Sequence, residues 1–517
     1  MNNNSTYKEQ LFMHMDGIAI IPTLSALNKI GVLDYINKKE SFNLDDIINK
    51  YKLSPGYLNI ALRNLLSIGI LEINNNEKFI DVKEYNINYN ELKNIREIIN
   101  NYDFIKLISI HMRFKDLLMS KSYLTKEEYN TIYHIIKNIN NLKDRKSNSH
   151  NRIYYYIEGI LLGPILSNLG FLDITFKEIE NKEIYELVTN IFQLSQLINN
   201  KLELTEKGLF FHSRSSSYGV TTSYLPLFNK LTQLISQKNN LVWERDNRGY
   251  ELHVNRSMNV WGSGGSHKFY FKKIDNIIID IFNNHNIDNQ PKGIIDIGCG
   301  DGTFLKHCYE IIINKTLRGK NIKKYPLKLI GVDLNKAARI ATRSTLNKNH
   351  IDNIVINGNI SDPDGLNKTL EKTYNEKLNN FISTRTFLDH NRSYIKPKEI
   401  RKNNIKTTGA FCYKGKMITN SNIINNLIEH FMNWKRYINK HGLIILELHT
   451  IHPNLIRSNT GKTLACAYDT THGFSDQYLI EYESFIQCAN YAGMNLEEKS
   501  VLFPNEAIPT ISINYFK

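Results

Sequence analysis

Apolar positions recur at helical spacing through much of the first 250 residues, then change near residue 290 to short apolar runs alternating with helical stretches. Leu11-Phe12-Met13 to Ile18-Ala19-Ile20-Ile21, then Pro22 and Leu24-Ser25-Ala26-Leu27, predict a helical segment over residues 7–35. It exits through Gly31-Val32-Leu33-Asp34. Phe42-Asn43-Leu44-Asp45-Asp46-Ile47-Ile48 predicts a second helix with Asn43 as its N-cap. Leu53-Ser54-Pro55-Gly56-Tyr57 leads into a third over Leu58–Leu66, with Ser54 capping and Pro55 at the first helical position. Ile68-Gly69-Ile70-Leu71-Glu72-Ile73 and Lys78-Phe79-Ile80-Asp81-Val82 read as a hairpin around Asn74-Asn75-Asn76.

Three helices and a hairpin make a winged-helix arrangement over residues 1–90. Winged helices also bind DNA, but the third helix carries a single Arg, Arg63, among apolar side chains, which predicts a packing role. The pattern returns. Gly17-Ile18 through Pro22, Leu24-Ser25 and Leu27 to Gly31-Val32-Leu33-Asp34 is echoed by Gly159-Ile160 through Pro164, Leu166-Ser167 and Leu169 to Gly170-Phe171-Leu172-Asp173. The echo ends in Leu202-Glu203-Leu204-Thr205-Glu206-Lys207-Gly208-Leu209, a sequence suited to a wing strand. Residues 150–225 therefore read as a second, degenerate winged-helix-like unit within a helical lid region, 91–250. Trp261-Gly262-Ser263-Gly264-Gly265-Ser266-His267 reads as a loop before a helix, placed to cover a cofactor or to link domains.

From residue 293 the alternation of strand and helix implies a parallel sheet. The predicted strands are Ile294–Ile297, Leu327–Asp333, Ile354–Gly358, Asn380–Thr384 and Gly442–Leu448, the last preceded by an amphipathic helix over 421–439. The basic insert Lys315–Lys324 reads as a solvated loop. Between the first strand and its helix lies Asp296-Ile297-Gly298-Cys299-Gly300-Asp301-Gly302-Thr303. Glycines there allow positive φ and let a ligand approach the main chain, beside the outward N–H groups of a helix start.

Composition narrows the class. With 41% hydrophobic and 22% charged residues, the 517-residue chain can bury cores and is expected to hold two or three domains. No apolar run approaches the ~20 residues of a membrane span, and the N-terminus does not read as a signal peptide. The five cysteines show no metal-type pairing and fit free thiols in a reducing cytoplasm, so a cytoplasmic location is expected. The net charge of +14 admits nucleic acid, an acidic carrier domain, or a Lys- and Asn-rich coding bias. No Arg-rich stripe favours nucleic acid, so neither nucleic acid nor membrane is expected as a partner.

The run Asp296-x-Gly298-x-Gly300-x-Gly302 is neither a dinucleotide fingerprint nor a phosphate loop. It resembles motif I of class I S-adenosylmethionine-dependent methyltransferases. That resemblance implies a Rossmann-like α/β domain over 251–517, behind a mostly helical, winged-helix-containing N-terminal region. It also implies cofactor contacts from Asp296, Gly298, Gly300 and Gly302, and from Asp333 to the ribose. Asn359 and Ile360 would meet the adenine, with Asp362 as the second candidate, and Thr384 at the fourth strand end would also bind the cofactor. Residues 1–90 resemble the dimerisation domain of small-molecule O-methyltransferases, implying a homodimer through the N-terminal region.

In small-molecule O-methyltransferases a His-Asp-Trp follows the fourth strand, its histidine acting as base. This chain has Asp389-His390-Asn391. Together with Trp261–His267, Phe387–Arg392 and Thr471-His472-Gly473, that order resembles the mononuclear metal-dependent C-methyltransferase domains of apratoxin-type polyketide starter modules. The resemblance implies Fe(II) or Mn(II) held by Asp389, His390 and His472, with Gln477 as a fourth ligand and His449 or His452 as substitutes. His390 and His472 would then be the catalytic residues. The acceptor would be the α-carbon of a β-dicarbonyl or 2-oxo acid, as a small molecule or on an acyl carrier protein. The rival readings are a metal-independent O- or N-methyltransferase with His390 as base, and an inactive fold serving as a basic binding module.

Overall fold

The computed structural model describes residues 3–73, 84–143, 148–236 and 240–517. The chain divides into two compact units. One comprises Met1–Ser266 with Thr408–Ile418 and His452–Asp476; the other comprises His267–Thr407 with Thr419–Ile451 and Gln477–Lys517. Two segments from within the expected methyltransferase domain thus belong to the first unit.

In the first unit, helix α1 (Asn3–Ile30) runs unbroken through Pro22. Strand β1 (Ser41–Asn43) precedes a helix, Leu44–Tyr51, whose Asn43 side chain accepts the Asp45 N–H as predicted. Helix α2 (Pro55–Ser67) starts on Pro55, but the Ser54 hydroxyl does not cap it; it donates to the Gly415 carbonyl. Strands β2 (Leu71–Glu72) and β3 (Glu84–Ile87) complete a small antiparallel sheet ordered β1-β3-β2. The predicted turn at Asn74–Asn76 and strand Lys78–Val82 lie outside the described residues.

Helix α2 is buried along most of its length, and its one cation is committed inward. Arg63 donates from Nε to Asp469 Oδ2 at 2.9 Å, both side chains about 5% exposed. That is a packing helix, as its apolar sequence predicts. The later segments lock onto it: Gly56 N–H donates to the Gly415 carbonyl, and Asp476 accepts from Tyr57 Oη, Trp243 Nε1 and Lys414 N–H. A buried carboxylate needs such donors.

The repeated pattern has a spatial counterpart. Helix α3 (Asn148–Leu172) lies along α1, and the glycines of the two copies meet the partner helix reciprocally. A Cβ on Gly17 would sit 2.3 Å from the Tyr156 carbonyl oxygen, and one on Gly159 would sit 2.3 Å from the His14 carbonyl oxygen. His14 and Tyr156 are equivalent positions, three residues before each glycine. The crossing is therefore two-fold-like. Beside it, His14 bonds Glu158 at 2.9 Å and the Tyr218 hydroxyl at 2.7 Å, in full burial. Contrary to the hydropathy reading, Arg152–Leu172 within α3 is long and apolar enough to cross a membrane, but 78% of its qualifying window is buried.

Helix α4 (Arg256–Phe282) contains the predicted loop 261–267, which is helical instead. Its glycines serve contact: Gly262 Cα lies 2.7 Å from where a Gly219 Cβ would be, and Trp261 meets Phe171 edge to face. Packing outweighs the helix cost of glycine, about 1 kcal/mol each.

The second unit is a seven-stranded, mostly parallel sheet. Its strands are β4 (Gly293–Ile297), β5 (Lys328–Val332), β6 (Asn353–Ile356), β7 (Ile382–Thr386), β8 (Leu443–Leu448), β9 (Val501–Phe503) and β10 (Ile511–Phe516). Their order is β9-β10-β8-β7-β4-β5-β6, with β10 antiparallel to both of its neighbours, β8 and β9. The five parallel strands are the predicted ones. In this doubly wound topology ligands sit outside the carboxyl ends. The insert at 315–324 departs from the solvated-loop reading. It holds a helical turn, Leu317–Lys320, and buries Arg318, which donates to the Tyr325 and Lys292 carbonyls and to Gln290.

Replacing Gly17 by Leu should remove about 2 kcal/mol of stability, since backbone cannot yield to the added side chain. Urea unfolding measures this, with Gly264→Ala, where nothing lies within 4 Å of a Cβ, as the neutral comparison.

Candidate functional site

The site begins where β4 ends. Gly298, Gly300 and Gly302 have φ of 79°, 55° and 80°, the left-handed region that favours glycine. The Gly298 and Cys299 N–H groups both donate to the Val332 carbonyl, tying the loop to the end of β5. Gly302 is the N-cap of helix Thr303–Lys315. A Cβ on Gly298 would meet Leu388 at 2.9 Å and one on Gly302 would meet Thr342 at 3.0 Å, whereas one on Gly300 meets nothing within 4 Å. The loop is packed at its ends and open at its middle.

Two carboxylates flank it. Asp296 pairs in register with Thr384 of β7, whose fully buried hydroxyl donates to Asp296 Oδ1 at 2.8 Å. Thr384 thus positions Asp296. Burial pushes the Asp296 carboxyl up to about 7, against the Thr384 bond, and its Oδ2 has no hydrogen-bond partner among the described residues. Asp333, half-buried beyond β5, accepts from Gly300 N–H at 3.2 Å and from Asn335 N–H at 2.8 Å. After β6, Asn359 accepts the Ser361 N–H, while the Ile360 carbonyl accepts the Trp434 indole N–H at 2.7 Å. An orphaned buried acceptor, an open glycine and a strand-end carboxylate fit a ligand bearing an ammonium group and ribose hydroxyls.

Beyond β7 the chain turns through Asp389–Asn391, and the two adjacent residues take different partners. His390 Nδ1–H donates to Glu447 Oε1 at 2.5 Å, and its backbone N–H donates to Glu447 Oε2 at 3.0 Å. Asp389 accepts from Arg385 Nη1 at 2.6 Å and from His430 Nε2 at 2.9 Å. Burial would raise the Asp389 carboxyl, but Arg385 and His430 outweigh it and hold it below the usual carboxylate range. Burial lowers His430 to about 4, so that imidazole is neutral. Arg385, fully buried, also lies over the Trp434 ring at 4.1 Å.

The other predicted ligands divide between the two units. His472 belongs to the first unit, on helix Ala465–Gly473, where Nδ1–H donates to the Tyr468 carbonyl at 2.8 Å. Gln477 is half-buried at the start of the second unit's last segment. His449 is a core residue bonded to Ser512 Oγ at 2.7 Å, and His452 caps helix Pro453–Ser458. Among the described residues no three His, Cys, Asp or Glu side chains group to hold a metal. Arg385 and His430 both donate to Oδ1 of Asp389, and its Oδ2 has no hydrogen-bond partner among the described residues. Glu447 falls within the predicted strand Gly442–Leu448, where the sequence assigned it no role, and Arg385 and His430 gave no motif signal.

Residues 251–514 match the family model described as the AprA MT2-like domain. Residues 7–73 match the AprA N-terminal domain and 158–238 the AprA winged helix domain. The winged-helix match therefore falls on the second copy of the repeated pattern. No curated protein matches. Among solved structures, an O-methyltransferase family 2 protein from Planctomyces limnophilus in complex with apigenin is 9% identical, covering 98% of this chain and 95% of that one, with a TM-score of 0.38. The DszA carbon methyltransferase is 8% identical, covering 98% and 90%, also at 0.38. Likeness at that level says nothing about activity.

Replacing Asp333 by Ala should weaken S-adenosylmethionine binding roughly ten- to a hundredfold, the scale of lost hydrogen bonds to a charged group. Isothermal titration calorimetry reads this directly.

Proposed function

Because the chain belongs to the AprA MT2-like methyltransferase family, matched over 251–514, we propose that it transfers a methyl group to the α-carbon of a β-dicarbonyl or 2-oxo acid acceptor, with His390 as the base. One observation carries this reading: the buried His390–Glu447 pair at the carboxyl ends of β7 and β8. Donation from Nδ1 to Glu447 selects the tautomer whose Nε2 holds a lone pair. Glu447 also accepts the His390 backbone N–H, so one carboxylate orients both the ring and the main chain of this residue. As Nε2 takes a proton, the imidazolium forms against a carboxylate already in contact, which favours proton transfer.

S-adenosylmethionine, when bound, supplies an electrophilic methyl group. The residues that fit it are those at the glycine loop, with Asp296 and Asp333 flanking. Holding the acceptor carbon near that methyl is an orientation task. The carbon between the two carbonyls of a β-dicarbonyl is acidic enough for an imidazole, which favours that acceptor over a 2-oxo acid, whose enolisable carbon adjoins one carbonyl. The metal-assisted version needs at least three ligating side chains together, a grouping that the described residues do not make. The +14 charge suits an acceptor delivered on an acidic carrier protein. The reducing-compartment pattern of five buried free cysteines favours a cytoplasmic setting.

His390→Ala should lower methyl transfer by about 10²–10⁴-fold while leaving cofactor affinity within a few-fold. The assay offers β-ketoacyl thioesters, 2-oxo acids and phenols with tritium-labelled methyl donor, and mass spectrometry locates the new methyl. Label on oxygen alone would replace carbon by oxygen as the acceptor. Activity should persist in EDTA; stoichiometric iron or manganese together with EDTA inactivation would restore the metal reading.

A further inference from the structure

Phe387 stands in a conformation that a bulky residue rarely takes. It follows β7 directly with φ of 54°, pinned by donation of its N–H to the Leu446 carbonyl at 2.7 Å. A glycine would relax there, and a phenylalanine pays strain to keep a ring in place. The ring is not fully buried. Its next neighbour, Leu388, lies against Gly298, so the segment borders the glycine loop. The His267 ring stacks with Phe387 at 4.7 Å and 30°, and Tyr270 meets it edge-on at 6.0 Å.

His267 is close enough to the glycine loop to feel the Asp301 carboxylate. Burial lowers its imidazole to about 4, so at neutral pH it presents an uncharged aromatic face. Two stacked neutral rings thus edge a loop suited to a ligand that carries a sulfonium. A cation beside an aromatic face is attracted by the ring quadrupole.

We propose that Phe387 and His267 form an aromatic wall that recognises the positive sulfonium of S-adenosylmethionine and discriminates against the neutral thioether product. The inference rests on the cofactor reading, not on the choice of acceptor or on His390. Methyl transfer removes the positive charge from sulfur, so the same wall loosens its hold once transfer has occurred. Product release then follows from the chemistry.

Calorimetry with three probes tests this without any acceptor: S-adenosylmethionine, S-adenosylhomocysteine, and sinefungin, whose ammonium replaces the sulfonium. Phe387→Leu should weaken the two cationic ligands about tenfold and leave S-adenosylhomocysteine within twofold. Phe387→Tyr, which keeps a ring, should behave as the unaltered chain, and thermal unfolding shows whether each variant is folded. Asp333→Ala is the contrast, expected to weaken all three alike. Equal weakening of all three by Phe387→Leu, or no change in any, overturns the wall. Failure of the unaltered chain to bind any probe overturns the cofactor reading with it.

Discussion

The second unit depends on the place where the backbone leaves β4. Three alternating glycines in left-handed conformations turn the chain from strand to helix within a few residues. The turn works only in one register. Asp296 must face Thr384 on one side and Gly331 on the other, which places Gly298 under the Val332 carbonyl. A one-residue slip of β4 would reverse its faces, taking Asp296 from its hydroxyl and the glycines from their positive-φ positions. Fold and ligand cradle are therefore set by the same backbone constraint.

A second constraint governs the chemistry end. Arg385, Arg392, Asp389 and Glu447 are all buried near the turn that carries His390. Two guanidiniums and two carboxylates balance in charge, and removing any one of them would leave an uncompensated buried charge. Arg392 donates to the Asp389 carbonyl and to Asn426, and Arg385 to the Asp389 carboxylate. The network fixes the turn from behind and leaves Glu447 to orient the ring. Adjacent Asp and His in sequence suggest a shared ligand set, but a tight helical turn sends consecutive side chains in different directions.

What was legible followed from local signals. The five parallel strands, the glycine loop, the Asn43 cap and the helix over 420–438 each rest on a pattern contained within about twenty residues. What was not legible rests on distant partners. Ser54 has every local reason to cap α2, yet its hydroxyl goes to Gly415, some 360 positions later. The 261–267 stretch looks like a loop because glycine is a poor helix former, and becomes helix because Gly262 allows close approach to Gly219. Arg318 sits in a lysine-rich insert and is buried by backbone carbonyls that no charge count reveals. The assignment of 408–418 and 452–476 to the first unit has the same origin, since Asp476 and Arg63 find their partners only in three dimensions.

The repeated helix pattern carries the final consequence. Its two glycines are not turn residues: each admits the backbone of the other copy, at equivalent positions. Such reciprocity is the signature of a two-fold contact, in which one surface packs on its own equivalent. Here both equivalents lie in one chain. The face of α1 around Gly17, which a pair of identical chains could have shared, is already filled by α3. Any pairing of two copies through the N-terminal region must therefore use a different face, and the internal duplication supplies in cis what a symmetric partner would supply in trans.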